Sequence, residues 1–177
     1  MVAELDEGLQ HWSALTRRVL GQDVGEVPGA GAAGGLGAAL AAFLGAHLRS
    51  GVDLVMEAAG LARHLEGSDL VITGEGRLDG QTLRGKVPLG VARLAKRAGL
   101  PVVAIVGAIG EGAEEFYRHG IDAVESITPG PMSLEEAMEK PGELIAAAAG
   151  RVMRLLLVGR ALAAARSEKK LDLPGTG

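Results

Sequence analysis

The stretch "DLVITGEGRLDGQTLRGKVPLGVA", Asp69–Ala92, changes character twice in 24 residues, and those changes decide the fold. It opens on "DLVITG" (Asp69–Gly74), a short apolar run suited to a strand buried on both faces. From Gly74 to Pro88 it turns glycine-rich and charged. "PLGVARLAKRAG" (Pro88–Gly99) then has apolar residues at helical spacing, with Pro88 suited to the first helical position and Gly99 to the stop. The same alternation continues downstream. "PVVAIVGAI" (Pro101–Ile109) and "IDAVESI" (Ile121–Ile127) read as strands, and "GEGAEEFYRHG" (Gly110–Gly120) between them reads as helix. Strand, helix, strand, helix, strand is a parallel α/β unit with right-handed crossovers. Three strands make a thin parallel sheet. Glu143–Arg166 is expected to be a long helix covering it, with residues 167–177 as a tail.

Upstream of Asp69 the pattern is helical. Residues 2–20 place Leu5, Leu9, Trp12, Leu15 and Val19 on one stripe. Gly35–Leu48 reads as a second helix rich in small residues, and Gly51–Leu65 as one or two short ones. Between the first two lies "VPGAGAAGG" (Val27–Gly35), in which Gly29, Gly31 and Gly34 have the spacing Gly-x-Gly-x-x-Gly. In a dinucleotide site that spacing follows a buried strand inside a βαβ unit. Here "GQDVGEV" precedes it, with charges and glycines around two valines. With 28 glycines in 177 residues, chance matches are common. The dinucleotide reading is set aside.

Bulk properties exclude several functions. The chain is 47% apolar and 23% charged, as in a globular protein, and its net charge of −4 leaves no basic footprint for nucleic acid. It has no cysteine, and its four histidines show no ligand spacing. No apolar run approaches the roughly 20 residues a membrane helix needs, and no basic-then-apolar leader is visible. A cytoplasmic protein without nucleic-acid or membrane partners is expected.

In open parallel sheets, ligands bind at the carboxyl ends of the strands. The first strand leads there into "GEGRLDGQTLRGKVP" (Gly74–Pro88), which holds Glu75, Arg77, Asp79, Gln81, Arg84 and Lys86 among Gly74, Gly76, Gly80 and Gly85. Glycines let a backbone approach a ligand closely. Carboxylates can hold magnesium or take a proton, and Arg77 and Lys86 can neutralise phosphate. Gly80–Lys86 also matches Gly-x-x-x-x-Gly-Lys, the front of a P-loop. Val87 stands where that motif needs Ser or Thr, and Pro88 removes a backbone N–H that would hold phosphate. The P-loop reading fails, although an anion at this helix N-terminus remains plausible by dipole physics.

Taken together, "VPGAGAAGGLGAAL", "DLVITGEGRLDGQTLRGKVPLGVA" and "HGIDAV" resemble the bacterial glycerate kinase family, from about Met1 to Gly159. The resemblance implies a Rossmann-like parallel sheet flanked by helices, unrelated to P-loop kinases, and ATP-dependent, magnesium-assisted phosphorylation of D-glycerate, with the 2-phosphate as the usual product. It also implies a fragment, because this chain corresponds to the family's C-terminal half. The family's Asp-Ser-Phe-Lys and Gly-Gly-Ser-Ala-Thr-Asn-Asp-Gly-Gly motifs are not in it.

On this resemblance, residues 1–48 belong to a second, helical domain, and 49–166 form the α/β unit with a catalytic loop at 74–88. The motif residues carried over are Arg77, Asp79 and Lys86 as catalytic groups and Glu75 as a metal ligand. Gly29, Gly31, Gly34, Gly35, Gly74, Gly76, Gln81 and Gly85 are carried over as substrate or nucleotide contacts. Self-association, or docking to a separate N-terminal half, is expected. The competing reading is a non-catalytic α/β partner module.

Overall fold

The computed structural model describes residues 1–80 and 87–171. The chain divides into two units, Met1–Gly51 and Val52 onward.

The first unit is helical. In α1 (Val2–Leu20), the buried Thr16 donates its hydroxyl proton to the Trp12 carbonyl at 2.9 Å, so burial leaves no orphaned polar group. Gly21 ends the helix in the left-handed conformation, its N–H on the Arg17 carbonyl at 3.0 Å. The second helix, α2 (Ala32–Leu44), packs Ala38 and Ala42 against Val24 and Ala30, with Trp12, Val27 and Leu48 at the margin. It stops four residues earlier than the apolar pattern predicts. The left-handed Gly45 caps it and donates its N–H to the Ala41 carbonyl at 3.1 Å.

The second unit begins one residue into α3 (Gly51–Ala58), which is followed by α4 (Leu61–His64) after Gly60 at φ 63°. Its centre is a parallel sheet of β1 (Val71–Leu78), β2 (Val102–Ile109) and β3 (Ala123–Ser126), in the order β1-β2-β3. The chain is therefore α/β, with helices flanking a parallel sheet. Alternation along β2 explains why its sequence is apolar without a break. Val102, Ala104 and Val106 pack with Ala92 and Ala95 of α5 (Val87–Arg97), while Val103 and Ile105 pack with Ala148 and Val152 of α8 (Pro141–Leu171). A strand clothed on both faces has no polar side to show. On the α5 side, Phe116 and Ile121 complete the core.

Four further elements depart from expectation. β1 runs on to Leu78, so Glu75 and Arg77 stand on the strand and not in a loop beginning at Gly74. Glycine makes this continuation possible. A Cβ at Gly74 would lie 2.9 Å from the Ile105 carbonyl oxygen, and one at Gly107 would collide with the Gly76 carbonyl. The helix expected over Gly110–Gly120 shrinks to α6 (Glu115–Arg118), because Gly112 is left-handed at φ 77°.

The third departure is α7 (Leu134–Glu139), a helix outside the predicted set. Ser133 and Glu136 form its capping box: Glu136 N–H donates to Ser133 Oγ at 3.1 Å, and Ser133 N–H to Glu136 Oε2 at 2.7 Å. Finally, α8 continues to Leu171, through the first five residues of the expected tail. It covers the sheet only through its first turns, and Met153, Leu155, Leu157, Val158 and Leu162 are exposed. Among the described residues no helix is long and apolar enough to cross a membrane.

Candidate active site

The carboxyl ends of the three strands come together because the strands are parallel. Glu75 pairs with Val106, and Val106 pairs with Ser126, so a carboxylate and a hydroxyl occupy one rung across the sheet. Two residues further along β1, Arg77 pairs with Ala108, and Asp79 follows the strand's end. The Arg77 guanidinium Nε lies 3.2 Å from Asp79 Oδ2. Arg77 is largely exposed and Asp79 half-buried, so the arginine faces solvent while its partner is anchored. The Glu75 carboxylate accepts the Gly76 backbone N–H at 3.1 Å.

The loops after β1 and β2 are fastened to each other. Gly110 N–H donates to the Leu78 carbonyl at 2.7 Å, and Gly80 N–H to the Glu111 carbonyl at 3.0 Å. At the end of β3, the Ser126 and Thr128 hydroxyls are 2.7 Å apart. Arg151 of α8 holds this strand end in place. Its Nε donates to Glu125 Oε1 at 2.6 Å and its Nη2 to the Ser126 carbonyl at 2.8 Å. A buried β2 between two strands ending in polar groups thus places two guanidinium groups, three carboxylates and two hydroxyls along one edge.

Of the predicted residues, Gly74, Glu75, Gly76, Arg77 and Asp79 are gathered at this edge. Gln81, Gly85 and Lys86 lie outside the described residues. Gly29, Gly31, Gly34 and Gly35 belong to the first unit. There, Ala33, Gly34 and Gly35 take successive left-handed conformations (φ 50°, 68° and 89°), a tight turn leading into the right-handed part of α2. Among the described residues no strand precedes this turn, as a dinucleotide fingerprint would require. Gly31 and Gly35 line a cleft of about 610 Å³ with Trp12, Ser13 and Arg17. Arg17 is engaged by Asp23 at 3.2 Å, and Asp6 and Glu26 also face the cleft, so its balance is acidic.

Sequence reasoning missed Ser126, Thr128 and Arg151. A signal for the first two was available, since "ESIT" breaks an apolar strand with polar residues at its carboxyl end. Arg151 carried none, because its contact spans 25 residues of chain.

The profile of the glycerate kinase family matches residues 1–157. The chain belongs to the glycerate kinase family. Members of this family are phosphotransferases. A glycerate kinase of Halalkalibacterium halodurans is 50% identical over 151 residues, covering 85% of this chain and 40% of that protein. The Escherichia coli K12 glycerate 2-kinase is 45% identical over 159 residues, covering 90% and 42%. Among solved structures, a Salmonella typhimurium LT2 protein assigned as glycerate kinase 2 superposes with a TM-score of 0.65 at 44% identity, covering 88% of this chain and 40% of that one. The chain therefore spans about two fifths of these relatives' length.

Proposed function

We propose that this chain carries part of the catalytic surface of an ATP-dependent glycerate kinase, working in the cytoplasm and giving the 2-phosphate of D-glycerate. The observation behind this reading is the Arg77–Asp79 pair at the carboxyl end of β1, within a stretch that the family profile covers. Phosphoryl transfer depends on positioning and charge neutralisation more than on covalent help from the protein. The exposed guanidinium of Arg77 neutralises the transferring phosphoryl group or fixes the substrate carboxylate, and the Lys86 ammonium adds a second positive charge. The Asp79 carboxylate accepts the proton of the attacking glycerate hydroxyl. That oxygen bonds to the γ-phosphorus as the bond to ADP breaks. Gln81 and the glycines Gly74, Gly76 and Gly85 contact substrate, and Gly29, Gly31, Gly34 and Gly35 form the glycine-rich segment of the nucleotide or substrate cleft.

Magnesium fits the donor set. It takes oxygen ligands, commonly one or two carboxylates, and fills the rest of its shell with water and substrate phosphates. Glu75 is the carboxylate that would hold it, with Asp79 near the same strand end. The bound ion would offset charge on the β- and γ-phosphates.

The assay is ADP release coupled to a visible readout, with D-glycerate and magnesium ATP. It is run on this chain alone and with the remaining three fifths of a relative supplied as a separate polypeptide. Turnover that needs D-glycerate, with the product phosphate placed by ³¹P NMR, supports the reading. No turnover in either arrangement sinks it.

A second reading is a non-catalytic partner module. It is favoured by the exposed apolar face of α8 from Met153 to Leu162. It predicts binding to the complementary polypeptide without any catalytic loss when Arg77 is replaced.

A further inference from the structure

A charged pair is useful in a site only if something fixes where it points. Arg77 is long and largely exposed. One feature that bears on its direction is a missing side chain on the neighbouring strand end. At Gly110, immediately after β2, an added Cβ would lie 2.8 Å from Asp79 Cβ, 3.3 Å from Arg77 Nε and 3.4 Å from Arg77 Nη2. The first of these is closer than real Cβ atoms come, and it falls on the rigid first carbon of Asp79, not on a yielding side-chain tip. Both partners of the ion pair therefore lie against a surface that exists only because residue 110 has no side chain.

Two further facts separate this role from the ordinary uses of glycine. Gly110 is not among the positive-φ residues, so its backbone would accept alanine without strain. Its N–H is bonded to the Leu78 carbonyl at 2.7 Å, so it is fixed to the end of the strand that carries the pair. Residue 110 is thus free to be any small residue as far as backbone conformation goes, and is restricted to glycine by what lies over it.

We infer that Gly110 is a positioning residue: its bare Cα is the floor on which Arg77 and Asp79 are held in register at the strand ends. The inference rests on the proposed role of Arg77 for its catalytic consequence, but not for its geometry. A methyl group at 110 pushes Asp79 off the floor and turns the guanidinium away from its partner, while the sheet core stays in place.

The test uses the whole 177-residue chain and NMR. In the unaltered protein, Gly110 Hα protons should show cross-relaxation to Asp79 Hβ and to the Arg77 Nε proton. The Arg77 Nε–Hε signal, assigned by its loss in Arg77→Lys, is then followed in Gly110→Ala and Asp79→Ala. Gly130→Ala is the control, because nothing lies within 4 Å of its added Cβ and its φ is not positive. Gly110→Ala should move the Arg77 signal in the same direction as Asp79→Ala and speed its hydrogen exchange. The methyl signals of Val106 and Ile121 should stay where they are, and Gly130→Ala should leave the Arg77 signal untouched.

An Arg77 signal unchanged in Gly110→Ala would overturn the inference, as would missing contacts to Gly110 in the unaltered protein. The second measurement decides the matter even if the alanine variant fails to fold. In an active preparation, Gly110→Ala should lower kcat more than it raises KM. A shifted Arg77 signal with unchanged turnover would leave the positioning role standing and remove Arg77 from the chemistry.

Discussion

Asp122 Oδ2 accepts the Val102 backbone N–H at 2.7 Å and the Lys96 ammonium at 2.5 Å, so one carboxylate joins α5, the start of β2 and the segment leading into β3. These bonds favour the charged form. The Lys96 hydrogen bond, then that of Val102, holds the Asp122 carboxyl below its ordinary 3.8. A carboxyl depressed in the folded state contributes stability above its unfolded value and loses it as pH falls through the folded one. The contribution should therefore be constant near neutrality and fade below about pH 3.8. Both side chains are more than a third exposed, so solvent screening limits it to about 0.5–1 kcal/mol. Thermal unfolding from pH 7 to pH 3 should show Asp122→Asn destabilised at neutral pH and converging with the unaltered chain in acid. A constant gap across that range would mean that the charge is irrelevant.

Arg77→Ala should reduce turnover by about 10²–10³-fold, the effect of removing one preorganised transition-state donor. The same change should alter stability by no more than about 0.2–1 kcal/mol, because exposed pairs contribute little. Steady-state kinetics on an active preparation, beside a thermal melt, separates the two effects. Intact kcat and KM would clear Arg77 of any part in the reaction.

The left-handed turn before α2 permits a paired test. Ala33 sits at φ 50°, where a non-glycine residue is strained by about 1–2 kcal/mol. Replacing it with glycine relieves that strain but adds unfolded-state freedom worth about 0.4–1 kcal/mol. Ala33→Gly should therefore be neutral to stabilising by up to about 1.6 kcal/mol. Gly35→Ala should be clearly destabilising, since it adds strain at φ 89° and puts a Cβ 3.0 Å from Leu9 Cδ2. Denaturant melts giving both substitutions the same sign would contradict the assigned backbone.

Phe116 is fully buried in the core on the α5 side of the sheet, although its own helix is only four residues long. Phe116→Ala should cost about 3–5 kcal/mol, the usual range for an emptied aromatic site. Tyr117, its exposed neighbour, should tolerate alanine with little change. Urea melts of the two variants check this, and equal losses would place α6 differently.

How much was legible depended on the range of the interactions. "PVVAIVGAI" announced β2 within one residue because burial on both faces leaves a continuous apolar run. The stretch proposed to bear the chemistry stood out equally, since its charges and glycines alternate densely after a strand. The extent of β1 was hidden. Gly74, Glu75 and Gly76 have poor strand propensity, and pairing with β2 keeps them extended. α7 is a different case: Ser133 and Glu136 at capping-box spacing were visible in the sequence, but six residues made too short a run to stand out.

The amino-acid order by itself determined the α/β alternation, the parallel sense of the strands and the charged, glycine-rich segment proposed to carry the chemistry. Each follows from local periodicity, turn residues and the handedness of connections, which act over a few neighbouring residues. Tertiary structure alone decided that Glu75 and Ser126 share a rung, that Arg151 reaches back to the end of β3, and that Gly110 lies beneath Arg77 and Asp79. Those relationships join residues 25 to 51 positions apart. Strand register and side-chain volume set them, and no pattern within a single element encodes either.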